Sequence, residues 1–280
     1  MSAFIVRKVL NNNVVIANHP LYGEVILIGK GIGFSRKKDD EIAVELAEKM
    51  FVLKNQQEQE NYKKLLPQLD EETQTAIIEA IQHISRRVTG QLNEHIHVGL
   101  TDHLIFSINR LINGLEIKNP FLVETINLYP FEYEVAREVV EIIKEKTGFG
   151  LPDGEVGFIA LHIHSAMTNK ALAEINQHSQ LVTRMLDVIE EQLDIRINKD
   201  SIDYMRLVRH LRFAIDRILT GEKVEEPESI SLLLKETYPV CYTLSWKLIK
   251  IMQQVLQKPV YDAEAVYLTM HLQRLQKKSK

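Results

Sequence analysis

The chain has 280 residues, a hydrophobic fraction of 45% and a charged fraction of 26%, the values of an ordinary globular protein with room for two or three domains. No apolar run approaches the ~20 residues that a membrane-spanning helix needs, and the N-terminal Met1-Ser2-Ala3-Phe4-Ile5-Val6-Arg7-Lys8 lacks the order of a signal peptide. Net charge is −4, which by itself argues against a polyanionic partner, yet residues 1–38 carry +5 and the remaining 242 carry −9.

Such asymmetry is expected when a basic module on an acidic body meets a polyanion; chance clustering on a solvated face is the competing reading. Residues 3–53 read as β structure. Phe4-Ile5-Val6 and Val9-Leu10 flank a basic pair, Asn11-Asn12-Asn13 breaks the run, and Val14-Val15-Ile16-Ala17 resumes it. Asparagine tolerates left-handed backbone and bonds locally, so this is a hairpin signal. A second turn, Asn18 to Gly23, leads to Val25-Ile26-Leu27-Ile28, followed by Gly29, Gly31, Gly33 and Phe34. Lys49-Met50-Phe51-Val52-Leu53 closes the module. A unit of this size buries a thin core, so pairing with a second copy is expected.

Asn55 to Leu66 is polar and reads as a linker with the option of a helix. Beyond it the period is helical: Ala76, Ile77, Ala80, Ile81 and Ile84 recur at three and four residues, as do Val135, Val139, Ile142 and Ile143. This part contains an internal repeat. His103-Leu104-x-Phe106-x-Ile108-x-Arg110-x3-Gly114 matches His210-Leu211-x-Phe213-x-Ile215-x-Arg217-x3-Gly221 at an offset of 107. Tyr129-Pro130 matches Tyr238-Pro239, and Asp153-x-Glu155-x3-Ile159-x2-His162 matches Asp262-x-Glu264-x3-Leu268-x2-His271, both at 109. A short insertion therefore lies between Pro120/Pro227 and the Tyr-Pro pairs. The expected fold is multidomain: a small antiparallel β domain at 1–56, a linker at 57–67, and two all-α helical bundles at 68–172 and 176–280.

Each bundle keeps two histidines in register, His103 with His162 and His210 with His271; the other six have no counterpart. For a single histidine a satisfied core role is the more common one, but apolar cores rarely need a titratable ring, and both copies retain two. Metal binding is disfavoured, because His95-x-His97 and His162-x-His164 have a spacing that faces together only on a strand. Gly29-x-Gly31-x-Gly33 is not followed by an apolar helix and fails as a dinucleotide loop. No catalytic site and no cofactor is expected. Phosphorylation suits imidazole better. Thr101-Asp102 reads as a helix N-cap whose first-turn amides would receive a phosphate on His103. Arg206, Arg209 and Arg212 lie near His210 in sequence and offer cations to pair with one. His162 and His271 read as mid-helix, at a domain or subunit contact.

At this point the residues support a resemblance. Val9-Leu10-Asn11-Asn12-Asn13-Val14 and Ile28-Gly29-Lys30-Gly31-Ile32-Gly33-Phe34 are similar to the RNA-binding signature of the BglG/SacY/LicT family of transcription antiterminators. Leu100-Thr101-Asp102-His103, Ala160-Leu161-His162, Arg209-His210-Leu211 and Leu268-Thr269-Met270-His271 resemble the phosphorylation motifs of its two PTS regulation domains. The resemblance spans essentially the whole chain and is greatest to the glucose-operon branch. One departure is Asp102, whose counterpart beside His210 is Arg209.

The resemblance implies a non-enzymatic, cytoplasmic homodimer, and the lone Cys241 fits a reducing compartment. It implies binding of an mRNA leader hairpin that overlaps a terminator, in the operon of a sugar, glucose by branch. The phosphoryl donors it implies are the sugar permease (enzyme II) and the phosphocarrier HPr, acting on His103, His162, His210 and His271. For the RNA, the residue chemistry points to Lys8, Asn12, Asn13, Gly29, Lys30, Gly31, Phe34 and Arg36: amides read unpaired bases, Phe34 stacks, glycines admit close approach and cations meet phosphates. Asn11 is assigned to the turn itself. A DNA-binding activator, a phosphoryl-transfer enzyme and a structural protein with inert histidines remain as alternatives.

Overall fold

The computed structural model describes residues 3–52, 56–65, 69–115, 118–224 and 228–278; Leu53, Asn55, Leu66 and Pro227, used above as landmarks, lie outside them. The β module contains β1 (Phe4–Val9), β2 (Val14–His19), β3 (Gly23–Ile28), β4 (Glu41–Ile42) and β5 (Lys49–Val52) in the order β4-β1-β2-β3-β5, every pairing antiparallel. The sequence reading missed β4, a two-residue strand too short for any period to reveal. It also split β1 at the basic pair, where the strand continues with a register shift between Val6 and Lys8.

Side chains alternate across the sheet. Val15, Ala17, Val25 and Leu27 join Phe4, Val6, Ile32 and Ile42 on one face. Val14, Ile16, Ile26 and Ile28 form the other face and pack on Tyr62, Ile78 and Val98. Those last three belong to α1 (Gln56–Leu65), α2 (Glu71–Arg87) and α3 (His95–Ile112). The thin core expected of the module is thus completed within the chain by helices. The linker is helical, as its composition allowed.

Two packing units divide the chain: Met1–Lys118 with Glu132–Lys170, and Asn119–Phe131 with Ala171–Lys280. In the first, α2 and α3 pack with α5 (Pro130–Thr147) and α6 (Asp153–Thr168) around Ile77, Ile81, Leu100, Leu104, Val139 and Ile159. The second holds α7 (Leu172–Leu193), α8 (Ile202–Thr220), α9 (Glu228–Thr237), α10 (Pro239–Leu256) and α11 (Ala263–Lys278). It also takes α4 (Leu122–Leu128), which by repeat register is the counterpart of α9 in the first copy. Buried Glu124 of α4 accepts from the Tyr204 hydroxyl at 3.1 Å and pairs with Lys199 at 2.8 Å. One segment of the first repeat therefore packs with the second, across the boundary expected from the repeat.

Candidate functional site

The asparagine turn and the glycine loop meet at one end of the sheet. Asn11 closes the turn, its Oδ1 accepting from the backbone of Asn13 and Val14 at 2.8 Å each. Gly33 N donates to Asn12 O at 2.9 Å and Gly29 N to Asn13 O at 3.0 Å. Asn13 Oδ1 accepts from Gly31 N at 2.9 Å. Asn12, Asn13, Lys30, Gly31 and Phe34 thus form one surface, with Gly29 buried beneath it. Phe34 is 68% exposed, far more than an aromatic ring needed for the fold. Lys8 stands exposed on β1, opposite Ile16. Arg36 follows in the glycine loop but turns its guanidinium to the Glu41 carbonyl at 3.3 Å.

The glycines have reasons inside the chain. An added Cβ at Gly33 would lie 2.1 Å from Asn11 O, and at Gly29 2.2 Å from Leu46 O, so both admit protein backbone.

A contact that the sequence did not announce joins this loop to α2. Asp70 caps that helix, accepting from Thr73 N at 2.8 Å. The cap sets Glu71 and Gln74 in the first turn, facing the asparagines. Asn13 Nδ2 donates to Glu71 Oε1 at 2.6 Å, Asn12 Nδ2 to Glu71 Oε2 at 3.4 Å, and Asn11 Nδ2 to Gln74 Oε1 at 2.6 Å. The amides proposed to read bases are already engaged by a carboxylate.

Each bundle brings its two registered histidines into contact. The ring centroids of His103 and His162 are 5.0 Å apart, and those of His210 and His271 are 4.9 Å apart. His103 lies on α3 and His162 on α6; His210 lies on α8 and His271 on α11.

His103 is not in a first turn. The helix begins at His95, whose N–H donates to Asn93 Oδ1 at 3.0 Å, and Thr101-Asp102 is interior. A cap is worth ~1 kcal/mol. The stripe Ile96, Leu100, Leu104, Ile108 buries four large side chains at roughly 1.5–3 kcal/mol each, so the stripe decides. Nor do the nearby arginines pair with His210. Arg212 donates to the Leu128 carbonyl and lies over Tyr129, and Arg206 pairs with Asp203.

The charged group beside the first histidine of each pair is a carboxylate. His103 Nε2 is 3.0 Å from Glu155 Oε2, and Arg110 holds Glu155 Oε1 at 2.5 Å. His210 Nε2 is 3.3 Å from Glu264 Oε2, and Arg217 binds both Glu264 oxygens. Neither contact is aligned as a hydrogen bond: His103 Nε2 meets Ser107 Oγ at 3.4 Å, and His210 Nε2 has no hydrogen-bond partner among the described residues. Burial would raise both carboxyls, but the facing histidines, the Ser107 hydroxyl on Glu155 and the arginines outweigh it and hold them below their ordinary value.

Burial pushes His162 down to about 3 and His271 to about 4, each helped by its neighbouring histidine, so both rings are neutral at pH 7. Sequence reasoning overlooked these acids and arginines, although both repeat motifs contain them in register.

The unregistered histidines have local partners. His164 bonds Glu132 at 2.8 Å, His83 bonds Glu138 at 2.5 Å, and His97 lies edge-on to Tyr62. Among the described residues no group of three metal-ligating side chains converges, and no helix is long and apolar enough to cross a membrane.

A small β module carrying an exposed amide and aromatic loop, followed by two histidine-paired helical repeats, defines an RNA-binding regulator. Residues 4–60 match the CAT RNA binding domain, and residues 78–166 and 183–275 match the PRD domain. The PtsGHI operon antiterminator of Bacillus subtilis (strain 168) is 56% identical over 276 residues, covering 99% of this chain and 98% of that one. The GlcA/glcB genes antiterminator of Staphylococcus carnosus (strain TM300) is 37% identical over 274 residues, covering 97% and 96%. The crystal structure of GlcT CAT-PRDI superposes with a TM-score of 0.54 at 56% identity, over 60% of this chain and 99% of that one. The chain belongs to the BglG/SacY/LicT family of transcription antiterminators. It is a regulatory RNA-binding protein of transcription antitermination under phosphotransferase-system control, and not an enzyme.

Proposed function

We propose that the loop formed by Asn12, Asn13, Gly29, Lys30, Gly31 and Phe34, with Lys8 and Arg36 as phosphate contacts, grips a hairpin in the leader of a glucose-uptake operon transcript. The observation that carries this is the convergence of free aromatic surface, amides and backbone at one sheet end. Two copies act together on one hairpin. The hairpin so held excludes the overlapping terminator. The sugar permease phosphorylates His103 and His162 when sugar is absent, and HPr acts on His210 and His271. The chain works in the cytoplasm.

The contact with α2 supports a competitive switch. RNA and Glu71 seek the same amides, so the two arrangements exclude each other. Val98, five residues before His103 on α3, packs on the sheet, which gives the first histidine pair a short route to the module. The test is titration of a labelled leader hairpin with the full-length protein. Phe34→Ala is expected to weaken binding by about 1–3 kcal/mol, the worth of one base stacked on an aromatic ring, with thermal stability unchanged. Wild-type affinity in that variant would remove Phe34 from the site. Asn13→Ala is a less clean probe than its sequence position implied, because its Oδ1 also holds Gly31 N.

A further inference from the structure

In each helical copy one imidazole of the pair stands beside a carboxylate, Nε2 to oxygen 3.0 Å in the first and 3.3 Å in the second. Glu155 faces His103 Nε2, with Arg110 on its other oxygen and the Ser107 hydroxyl donating to it at 2.7 Å. Glu264 faces His210 Nε2, with Arg217 across both oxygens. The triad of His, Arg and Glu recurs in both copies, although Ala214 replaces Ser107 in the second. A carboxylate held ionised by arginine only accepts hydrogen bonds, so the ring nitrogen facing it is the one that carries the proton. In the neutral ring the lone pair then resides on Nδ1.

We propose that Glu155 and Glu264 are positioning residues for phosphoryl transfer, and that His103 and His210 therefore take the phosphoryl group on Nδ1. This rests on the reading of these histidines as phosphoacceptors. The donor is a protein carrying N-phosphohistidine or S-phosphocysteine. The Nδ1 lone pair attacks phosphorus, the new P–N bond forms as the donor's P–N or P–S bond breaks, and the donor atom leaves with that electron pair. No proton leaves the acceptor ring. Its Nε2–H stays on the side of the carboxylate, whose nearby charge stabilises the positive charge that develops on the imidazole. The logic is that of an orienting acid behind a nucleophilic base, with the ring itself as nucleophile.

The test is phosphorylation of the full-length protein by each donor, followed by digestion at alkaline pH and separation of the two phosphohistidine isomers at each site. Wild-type protein is expected to carry the Nδ1 isomer at His103 and His210. Glu155→Ala is expected to slow labelling of His103 by about tenfold or more and to mix the isomers there, while His210 in the same molecule labels normally. Glu155→Gln keeps an oxygen able to accept from Nε2–H and is expected to retain the Nδ1 isomer. A merely structural role for Glu155 would change the amount of label and not its position on the ring. The Nε2 isomer at both histidines in wild-type protein would overturn the inference and leave the phosphoacceptor reading standing. Absence of label from both His103 and His210 would remove that reading and the inference together.

Discussion

Replacing Glu71 by alanine is expected to tighten hairpin binding by the full-length protein about tenfold or more. Glu71 receives a short bond from Asn13 and a longer one from Asn12. Hydrogen bonds to a charged group are worth about 1.5–3 kcal/mol net, and RNA must break these before it can use either amide. Removing about 1.5 kcal/mol of competition is a factor of about ten. The carboxylate also repels phosphate, which adds to the effect at low salt. The cost to the fold is small, since the Asp70 cap remains and loss of one acid from a helix N-terminus costs about 0.3–1 kcal/mol. Glu71→Gln separates the two contributions, because it keeps an acceptor oxygen and loses the charge. Anisotropy titration at fixed salt reads the result. Unchanged or weaker affinity in Glu71→Ala would mean that α2 does not compete with RNA.

Antitermination by the double variant H103A/H162A is expected to persist without sugar. Both rings are replaced because they are 5.0 Å apart and either could accept a phosphate in place of the other. A phosphoryl group brings about −1.5 to −2 charges into the contact between His103 and His162. At roughly 5 Å and an effective dielectric of about 20, each pair of like unit charges costs about 3 kcal/mol before screening. Moving a two-state equilibrium from 1:99 to 99:1 takes about 5.5 kcal/mol. One phosphate is therefore on the scale needed to switch the domain. A reporter placed behind the leader and its terminator should stay near its induced level in the double variant and fall in the wild type when sugar is withdrawn. Full sugar dependence in the double variant would locate regulation outside this pair.

The sequence carried the order of domains, the repeat and the four histidines, because each leaves a periodic or duplicated mark. Val14 to Ala17 and Val25 to Ile28 read as strands for the same reason. Other features left no such mark. The bond between Asn13 and Glu71 joins residues 58 apart, and nothing local to either announces it. The start of α3 was misread because Thr101-Asp102 imitates a cap, and the buried stripe running through it outweighs that signal. Arg212 sits beside His210 in sequence, yet it is drawn to the Leu128 carbonyl and the Tyr129 ring. Glu155 and Glu264 were legible in principle: they recur at the same offset as His162 and His271, and a duplicated acid beside a duplicated histidine is a signal for an orienting pair.

Photochemical cross-linking of the leader hairpin to the full-length protein, followed by peptide mapping, tests most directly where the transcript is held. Cross-links are expected on the peptide containing Phe34, with the neighbouring asparagine turn next in yield. Cross-links confined to the helical repeats would contradict the account.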